Sequence, residues 1–211
     1  MKKVKIAIAD DHSVSIEGVK ALMNFLDNIE VVIEAFNGKD LLEKLETIIP
    51  DIILMDVRMP GLDGIDATRD ITRLYPQIKV IGMSYYSNEI PFIQHMINAG
   101  AKGFVSKNIR VVDIENMVKN LLNEEPYFSS DILKLLLKTK QIKYLKNNDL
   151  TQRENEIMQL IYEENSNQEI ADKLNIEYRT VETHKNTIKN KLGIKTTVGL
   201  IKYIVWNMLK N

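Results

Sequence analysis

Carboxylates at the ends of two apolar segments are the residues of this chain best suited to chemistry. Asp56 directly follows the segment 51–55, and Asp10 and Asp11 directly follow the segment 4–9. A continuous apolar run is typical of a buried parallel strand, and open α/β sheets bind their ligands beyond the carboxyl ends of such strands. Because three neighbouring carboxylates repel each other, we expect a cation or a phosphoryl group to bind among them.

Asp56 is the candidate nucleophile of this site. An aspartate can take up a phosphoryl group as an acyl phosphate, and transfer to an anionic oxygen requires positive charge nearby. Mg²⁺ held by one or two carboxylates serves that purpose. We predict that Asp11 and Asp56 ligate the ion directly and that Asp10 acts through water. The backbone carbonyl of Arg58 is a further predicted ligand.

Two more polar side chains follow predicted strands. Lys107 comes directly after the segment 103–106, and Ser84 directly after the segment 79–83. A lysine at that position can pair with a phosphoryl oxygen, and a serine can donate its hydroxyl to another. Either residue alone is more typical of a surface loop. Compatible residues at the ends of strands one, three, four and five together favour a single phosphoryl site.

The elements that position these residues alternate between strand and helix up to about residue 122. Apolar runs predict strands at 4–9, 30–35, 51–55, 79–83 and 103–106, and amphipathic patterns predict helices at 14–26, 38–48, 64–74, 90–99 and 109–122. This alternation predicts a parallel sheet with right-handed crossovers. An assumed flavodoxin-like strand order, 2-1-3-4-5, brings Asp10 and Asp11 beside Asp56. The expected fold of residues 1–122 is an α/β flavodoxin-like (βα)5 domain.

The composition of the 211-residue chain excludes some classes of site and points to a polyanionic partner. The chain contains no cysteine, which excludes disulfides, thiolate metal sites and cysteine catalysis. No apolar run approaches the roughly 20 residues of a membrane helix, so we expect a soluble cytoplasmic protein with no membrane partner. Residues 178–211 carry seven basic and one acidic side chain, whereas residues 150–177 carry two and seven. This polarity favours nucleic-acid binding by the basic segment.

From residue 150 onward the chain contains only helical patterns, at 151–163, 167–174, 178–192 and 196–209. Thr151 is a natural N-cap, and Glu154 stands at the third helical position of a capping box. Two short helices joined by a tight turn are typical of a helix-turn-helix. Residues 150–211 are therefore predicted to form a second, smaller all-α helix-turn-helix domain. Residues 123–149 are predicted to be a linker with a helix at 132–145.

The predicted helix 178–192 has one apolar face and one polar face. Val181, Ile188 and Leu192 form the face expected to pack on the other helices. The opposite face suits a helix that lies in the major groove of DNA, although charged helix faces are more often only solvated. In the last predicted helix, the apolar residues and Trp206 are candidates for either a core or a dimer interface.

The strand-end residues resemble the signature of bacterial response-regulator receiver domains over residues 1–122: Asp10, Asp11, Asp56, Met59, Pro60, Ser84 and Lys107. The resemblance implies that a sensor histidine kinase, or a small phosphodonor, phosphorylates Asp56 with Mg²⁺ bound. It further implies that Ser84 is the switch hydroxyl and Phe104 the switch aromatic residue. Two residues depart from the common pattern. Asn108 follows Lys107 where many receivers have proline, and the bulky Tyr85 follows Ser84, which leads us to expect slow dephosphorylation.

Residues 150–211 resemble the LuxR-type DNA-binding domain, so the whole chain resembles a response regulator of the NarL/FixJ type. The resemblance implies contacts with base edges by Glu182, Thr183 and Asn186, and contacts with phosphates by Lys185, Lys189 and Lys191. Arg179 and Thr180 are further candidate DNA contacts. Glu164 stands where the family often has glycine at the end of the first helix, and we expect Asn165 to adopt the left-handed conformation instead.

The sequence is compatible with three functions. The first is a phosphorylation-switched transcription regulator that is not an enzyme and forms a homodimer on promoter DNA when phosphorylated, with RNA polymerase as a further candidate partner. The second is a Mg²⁺-dependent aspartyl phosphohydrolase. Haloacid-type phosphatases have an acid two residues after the nucleophile, and here that position is Arg58. The third is a phosphorylation-independent DNA-binding protein, which the complete acidic site disfavours.

Overall fold

The computed structural model describes residues 3–85, 90–138 and 149–209, which belong to two compact units. The first unit comprises Met1–Ile132 and the second Leu133–Asn211. Among the described residues, no helix combines the length and the apolar character needed to span a bilayer.

In the first unit, strands and helices alternate as predicted. The strands are β1 (Val4–Ala9), β2 (Ile29–Ala35), β3 (Ile52–Asp56), β4 (Lys79–Ser84), β5 (Gly103–Ser106) and β6 (Tyr127–Phe128). The helices are α1 (Ser13–Met23), α2 (Gly38–Leu45), α3 (Gly64–Leu74), α4 (Ile90–Asn98) and α5 (Val111–Leu122). The predicted first helix ends three residues early, at Met23. All neighbouring strands are parallel, in the order β2-β1-β3-β4-β5-β6.

The strand order places the carboxylates at one edge of the sheet. β3 is buried along its whole length, so its apolar side chains are covered on both faces of the sheet. β1 pairs directly with β3, with Ala9 opposite Met55. The residue that follows each of these two is an aspartate. The assumed neighbourhood of strands one and three is therefore confirmed, and Asp10 lies beside Asp56.

A sixth strand was not predicted and lies in the segment expected to be linker. β6 contains only Tyr127 and Phe128, too short a run for an apolar period to identify. It extends the sheet beyond β5, with Gly103 opposite Tyr127 and Phe104 opposite Phe128. Gly103 allows this approach because a Cβ there would lie only 1.8 Å from the carbonyl oxygen of Tyr127. The linker is thus joined to the sheet at its first residues.

A further helix, α6 (Ser130–Lys138), follows β6. It corresponds to the first part of the helix predicted at 132–145. The rest of that predicted helix lies outside the described residues.

The second unit contains the four predicted helices α7 (Gln152–Tyr162), α8 (Asn167–Leu174), α9 (Tyr178–Lys191) and α10 (Thr197–Leu209). Capping boxes begin two of them. Thr151 and Glu154 cap α7 as predicted, and Ser166 and Glu169 cap α8 in the same way. The core joins apolar residues from all four helices: Ile157, Ile161, Ile170, Val181, Ile188, Leu200 and Ile204.

The predicted conformation at the end of α7 is wrong in one residue. Glu164, with φ 61°, is left-handed, and Asn165 is not. The amide of Glu164 donates to the carbonyl of Ile161, and the amide of Asn165 donates to that of Leu160. This Schellman pattern requires the left-handed residue directly after the cap, one position before the asparagine. The Asn165 side chain stabilises the turn by donating to the Leu160 carbonyl at 2.9 Å.

Candidate functional sites

The acidic residues predicted from the strand ends converge in the structure. Asp10, Asp11, His12 and Asp56 each place one potential ligand atom within 4.8 Å of the others. Asp10 and Asp56 are buried, whereas Asp11 and His12 are exposed. The cluster therefore has a buried floor and an open rim, as expected for a site that exchanges a small ion and a reactant with solvent.

Lys107 joins the two buried carboxylates. Its Nζ lies 2.7 Å from Asp10 Oδ2 and 2.9 Å from Asp56 Oδ2, and its side chain is only 3% exposed. The turn after β5 therefore places a cation in the site. In the strand order, β5 lies on the other side of β3 from β1. One positive charge between two negative charges leaves a net negative site that can still attract a divalent cation.

The environment shifts the pKa of both partners upward. Burial raises the pKa of Asp56, and this effect outweighs the hydrogen bond and the positive charge of Lys107. Burial lowers the pKa of Lys107, but its hydrogen bonds to Asp10 and Asp56 outweigh that effect and the net shift is upward. The lysine therefore stays protonated beside the carboxylate that it contacts.

Two residues that the sequence interpretation did not include help to hold the cluster. The hydroxyl of Ser15, in the first turn of α1, donates to Asp10 Oδ2 at 2.5 Å, and the backbone amide of His12 donates to Asp10 Oδ1 at 3.0 Å. The His12 ring has its Nδ1 2.7 Å from Asp11 Oδ1. A serine five residues after an acid has no distinctive pattern, so only the fold identifies it.

Ser84 and Phe104, the predicted switch pair, lie on neighbouring strands. Ser84 is buried at the end of β4, opposite Ser106 in the pairing of β4 with β5. Phe104 is buried on β5 and its ring lies above Gly82, where a Cβ would come within 2.6 Å of the ring. Gly82 is therefore the residue that leaves room for an inward-facing aromatic ring, and the sequence interpretation did not single it out.

Arg58 and Tyr85 lie on the loops beside the cluster. The backbone amide of Arg58 hydrogen bonds to Asp56, and its guanidinium lies 4.7 Å from the centre of the Phe92 ring on α4. The ring of Tyr85 is 53% exposed, and its centre lies 5.1 Å from Lys107 Nζ. The bulky aromatic residue expected to slow dephosphorylation thus lies next to the lysine of the site.

The polar face of α9 separates into exposed and anchored side chains. Arg179, Glu182, Thr183 and Asn186 are exposed, and Thr180 and Lys189 are partly exposed. Val181 and Ile188 are buried and Leu192 is partly buried, as predicted for the packed face.

Two lysines of α9 bind other helices of the same unit. Lys185 Nζ donates to Asn167 Oδ1 at 2.7 Å, and Lys191 Nζ lies 2.8 Å from Glu154 Oε2. Burial, followed by the charge of Lys189, lowers the pKa of Lys185. These two predicted phosphate contacts are thus attached to α8 and α7, which helps to fix the orientation of α9.

Family models match both units of the chain. Residues 6–119 match the response regulator receiver domain, and residues 148–204 match the luxR family of bacterial regulatory proteins. The chain belongs to the response regulators. Its combination of a receiver with a LuxR-type domain is that of the NarL/FixJ type.

This response regulator is similar to curated relatives over nearly its whole length. It is 34% identical to the transcriptional regulatory protein MctR of Rhizobium johnstonii, covering 95% of this chain and 92% of the relative. It is also 34% identical to the oxygen regulatory protein NreC of Staphylococcus carnosus, covering 95% and 96%. Against the regulatory protein DegU of Brevibacillus brevis the identity is 33%, with 91% and 89% covered.

Solved structures of response regulators share this fold. The RcsB response regulator of Salmonella typhimurium is 25% identical with a TM-score of 0.61, covering 96% of this chain and 98% of that structure. The response regulator ChrA of a heme-sensing two-component system is 27% identical with a TM-score of 0.55, covering 99% and 100%.

Proposed function

We propose that this response regulator is a phosphorylation-activated, DNA-binding transcriptional regulator of a two-component system, with Asp56 as the phosphoacceptor. The contact of Lys107 with both Asp10 and Asp56 carries the proposal, because it unites residues from the ends of β1, β3 and β5 in one site. The family membership and the LuxR-type unit provide the regulatory context.

The proposed reaction is an in-line phosphoryl transfer. A carboxylate oxygen of Asp56 attacks the phosphorus of a phosphohistidine on a sensor kinase, the P–N bond breaks, and the histidine leaves as the acyl phosphate forms. Lys107 pairs with an oxygen of the transferred group, and Ser84 donates its hydroxyl to another. Water reverses the modification by attacking the acyl phosphate and releasing inorganic phosphate.

The donor set of the cluster fits Mg²⁺. Asp11 and Asp56 supply hard carboxylate oxygens directly, Asp10 supplies one through water, and the carbonyl of Arg58 is a further proposed ligand. When bound, Mg²⁺ neutralises charge on the phosphoryl oxygens. The exposed position of Asp11 supports entry of the ion from solvent.

We propose that Ser84 and Phe104 couple the phosphoryl group to the rest of the receiver. The hydroxyl of Ser84 moves to meet the phosphoryl oxygen, and the ring of Phe104 occupies the space that this movement leaves. The small residue Gly82 supports this role, because it leaves room for the ring beneath α4. The acyl phosphate would then shift an existing equilibrium between two arrangements of the receiver.

The DNA-binding surface proposed here is the exposed face of α9. Glu182, Thr183 and Asn186 are proposed to contact base edges, and Arg179, Thr180 and Lys189 to contact the backbone or neighbouring bases. Lys185 and Lys191 remain proposed phosphate contacts, although both would have to share their ammonium groups with a protein partner.

The proposed partners are a sensor histidine kinase, promoter DNA, a second copy of the chain when phosphorylated, and RNA polymerase. Two copies on paired half-sites would convert the modest affinity of one helix into specific binding. Such a protein works in the cytoplasm and turns over no external substrate. Arg58, rather than an acid, two residues after the nucleophile supports regulation over phosphohydrolysis.

The test combines phosphorylation with DNA binding in the full chain. The protein is incubated with acetyl phosphate and Mg²⁺, its mass is measured, and its binding to DNA selected from a random pool is compared with that of the untreated protein. We expect one phosphoryl group and tighter binding, both absent from Asp56→Asn. Equal dimerisation and DNA binding by parent and Asp56→Asn under all conditions would favour phosphorylation-independent DNA binding instead.

A further inference from the structure

The turn that carries Lys107 is held by hydrogen bonds on both sides. Before it, the amide of Ser106 donates to the hydroxyl oxygen of Ser129 at 3.2 Å. After it, the amide of Asn108 donates to Ser106 Oγ at 3.2 Å. The amide of Lys107 itself donates to the carbonyl of Ser84 at 2.9 Å. Because Asn108 has the amide that a proline lacks, Ser106 can close this turn through its side chain.

Ser129 comes from the segment after α5 and not from the five-stranded sheet that the sequence predicts. Its own amide donates to the carbonyl of Phe104 at 3.2 Å, continuing the pairing of β6 with β5. β6 ends at Phe128, so the next outward-facing amide of β5, that of Ser106, finds a side-chain oxygen instead of a strand carbonyl. Ser129 is 4% exposed and Ser106 is 5% exposed, so solvent does not compete strongly for this bond.

The same hydroxyl also binds the beginning of α6. Ser129 Oγ donates to a carboxylate oxygen of Asp131, in the first turn of that helix. One hydroxyl thus accepts from the strand that leads into Lys107 and donates to the helix that leads out of the receiver. Its oxygen and its proton are both engaged, so a displacement at one contact changes the geometry at the other.

We infer that Ser129 is a positioning residue for Lys107, acting through Ser106, and that it links the phosphorylation site to the start of α6. The inference rests on the proposed function, because it requires Lys107 to take part in phosphorylation of Asp56. Removal of the hydroxyl leaves the buried amide of Ser106 without its acceptor, which loosens the turn that holds Lys107 between Asp10 and Asp56. By reciprocity, a change at Lys107 on phosphorylation is felt at Ser129 and Asp131.

The first experiment measures, by intact mass, the rate at which acetyl phosphate phosphorylates the full chain in the presence of Mg²⁺. We expect Ser129→Ala to be about fivefold slower than the parent, which corresponds to about 1 kcal/mol on the barrier. Ser129→Thr keeps the hydroxyl and should restore the rate. The matched control is Ser130→Ala, which removes an exposed hydroxyl one residue later and should react like the parent.

A second comparison separates positioning of Lys107 from general loosening. In a Lys107→Ala background, Ser129→Ala should slow the residual reaction no further, since the residue that it positions is gone. The same fivefold loss in both backgrounds would overturn the inference, as would equal rates for Ser129→Ala and the parent. If the parent itself acquires no phosphoryl group, the proposed function fails, which is a different result from an unaffected Ser129→Ala variant.

A measurement on the parent alone covers the case in which Ser129→Ala does not fold. In ¹H–¹⁵N spectra, the amide of Ser106 should exchange slowly, and the amides of Ser106, Ser129 and Asp131 should shift on phosphorylation. The amide of Ser130 should shift less, because the exposed Ser130 side chain takes no part in the proposed link. Unchanged resonances at all three positions in a fully phosphorylated sample would overturn the inference.

Discussion

The receiver site and the polar face of α9 use their charged residues in opposite ways. In the receiver, Asp10, Asp56 and Lys107 converge from three strands and are buried in contact with one another. On α9, the charged side chains diverge from one helix, and several are exposed. Convergence produces a small site that suits the proposed phosphoryl group, whereas divergence produces a surface that suits the proposed DNA partner.

Lysines at the two regions also differ in their structural setting. Lys107 belongs to the reactive cluster although its surroundings in sequence are ordinary. Lys191 lies on the basic helix, but its ammonium binds Glu154, whose side chain is 5% exposed. A strand-end position therefore places a lysine in a shared cluster, whereas a place on a charged helix face is compatible with an ion pair inside the unit.

Replacement of Lys107 should have the largest effect. Lys107→Met removes the cation proposed to pair with the transferred oxygen, and loss of such preorganised stabilisation typically slows a reaction about 10²–10³-fold. The measurement is the rate of phosphorylation by acetyl phosphate, with Lys102→Met as the control at the other end of β5. A Lys107→Met rate within about twofold of the control would contradict the role assigned to Lys107.

The contact between Glu154 and Lys191 should affect stability. Glu154→Gln weakens the capping box of α7 and the ion pair with α9, and we expect a loss of about 1–2 kcal/mol in the free energy of unfolding. Although burial raises the pKa of Glu154, the hydrogen bonds of Lys191 and Thr151 outweigh it and lower the pKa below 4.5. A lowered pKa contributes stability above pH 4.5 that is lost as the pH falls through the folded-state value.

Denaturant unfolding as a function of pH checks this prediction. The difference between the parent and Glu154→Gln should be constant above pH 4.5 and should shrink at lower pH. A difference that does not change with pH would show that the charge of Glu154 contributes nothing.

Two lysines of α9 should differ in DNA binding. Lys189→Ala should weaken binding several-fold at every sequence and reduce the salt slope by about 1, the signature of one lost phosphate contact. Lys191→Ala should lower stability more than affinity, because its ammonium stabilises the packing of α7 against α9. Salt titrations and unfolding curves on both variants provide the comparison. The reverse pattern would show that Lys191 acts mainly as a phosphate contact.

Tyr85 should have the smallest effect. Its ring lies beside Lys107, and we propose that it restricts the approach of water. Tyr85→Ala should then shorten the lifetime of the phosphorylated form about threefold, a value typical of one exposed cation–π contact. Tyr85→Phe, which keeps the ring, should behave like the parent. An unchanged lifetime in Tyr85→Ala would show that the ring does not slow dephosphorylation.

The sequence predicts the receiver site well because parallel topology determines it. Once the apolar runs are assigned to strands and the order 2-1-3-4-5 is assumed, their carboxyl ends meet at one edge, and Asp56, Asp10 and Lys107 are expected near one another. Only the assumed strand order needed the structure. The four C-terminal helices were equally predictable, since capping residues and apolar periods repeat there.

The features that the sequence did not predict depend on contacts distant in the chain. A two-residue apolar run is too short to predict β6 or to single out Ser129. Both were identified only from the pairing with β5 in the structure. Gly82 has no pattern of its own, and its importance comes from the ring of Phe104 above it. The anchoring of Lys185 and Lys191 depends on partners in α8 and α7, which helical periodicity does not specify.

The most direct test of the central claim is chemical mapping of the phosphorylated residue. After treatment with acetyl phosphate and Mg²⁺, hydroxylamine attacks the acyl phosphate carbonyl, displaces phosphate and leaves a hydroxamate that peptide mass spectrometry locates. The account predicts a single hydroxamate at Asp56, dependent on Mg²⁺ and on Lys107. Modification at Asp10 or Asp11, or none at all in a folded and metal-loaded protein, would contradict it.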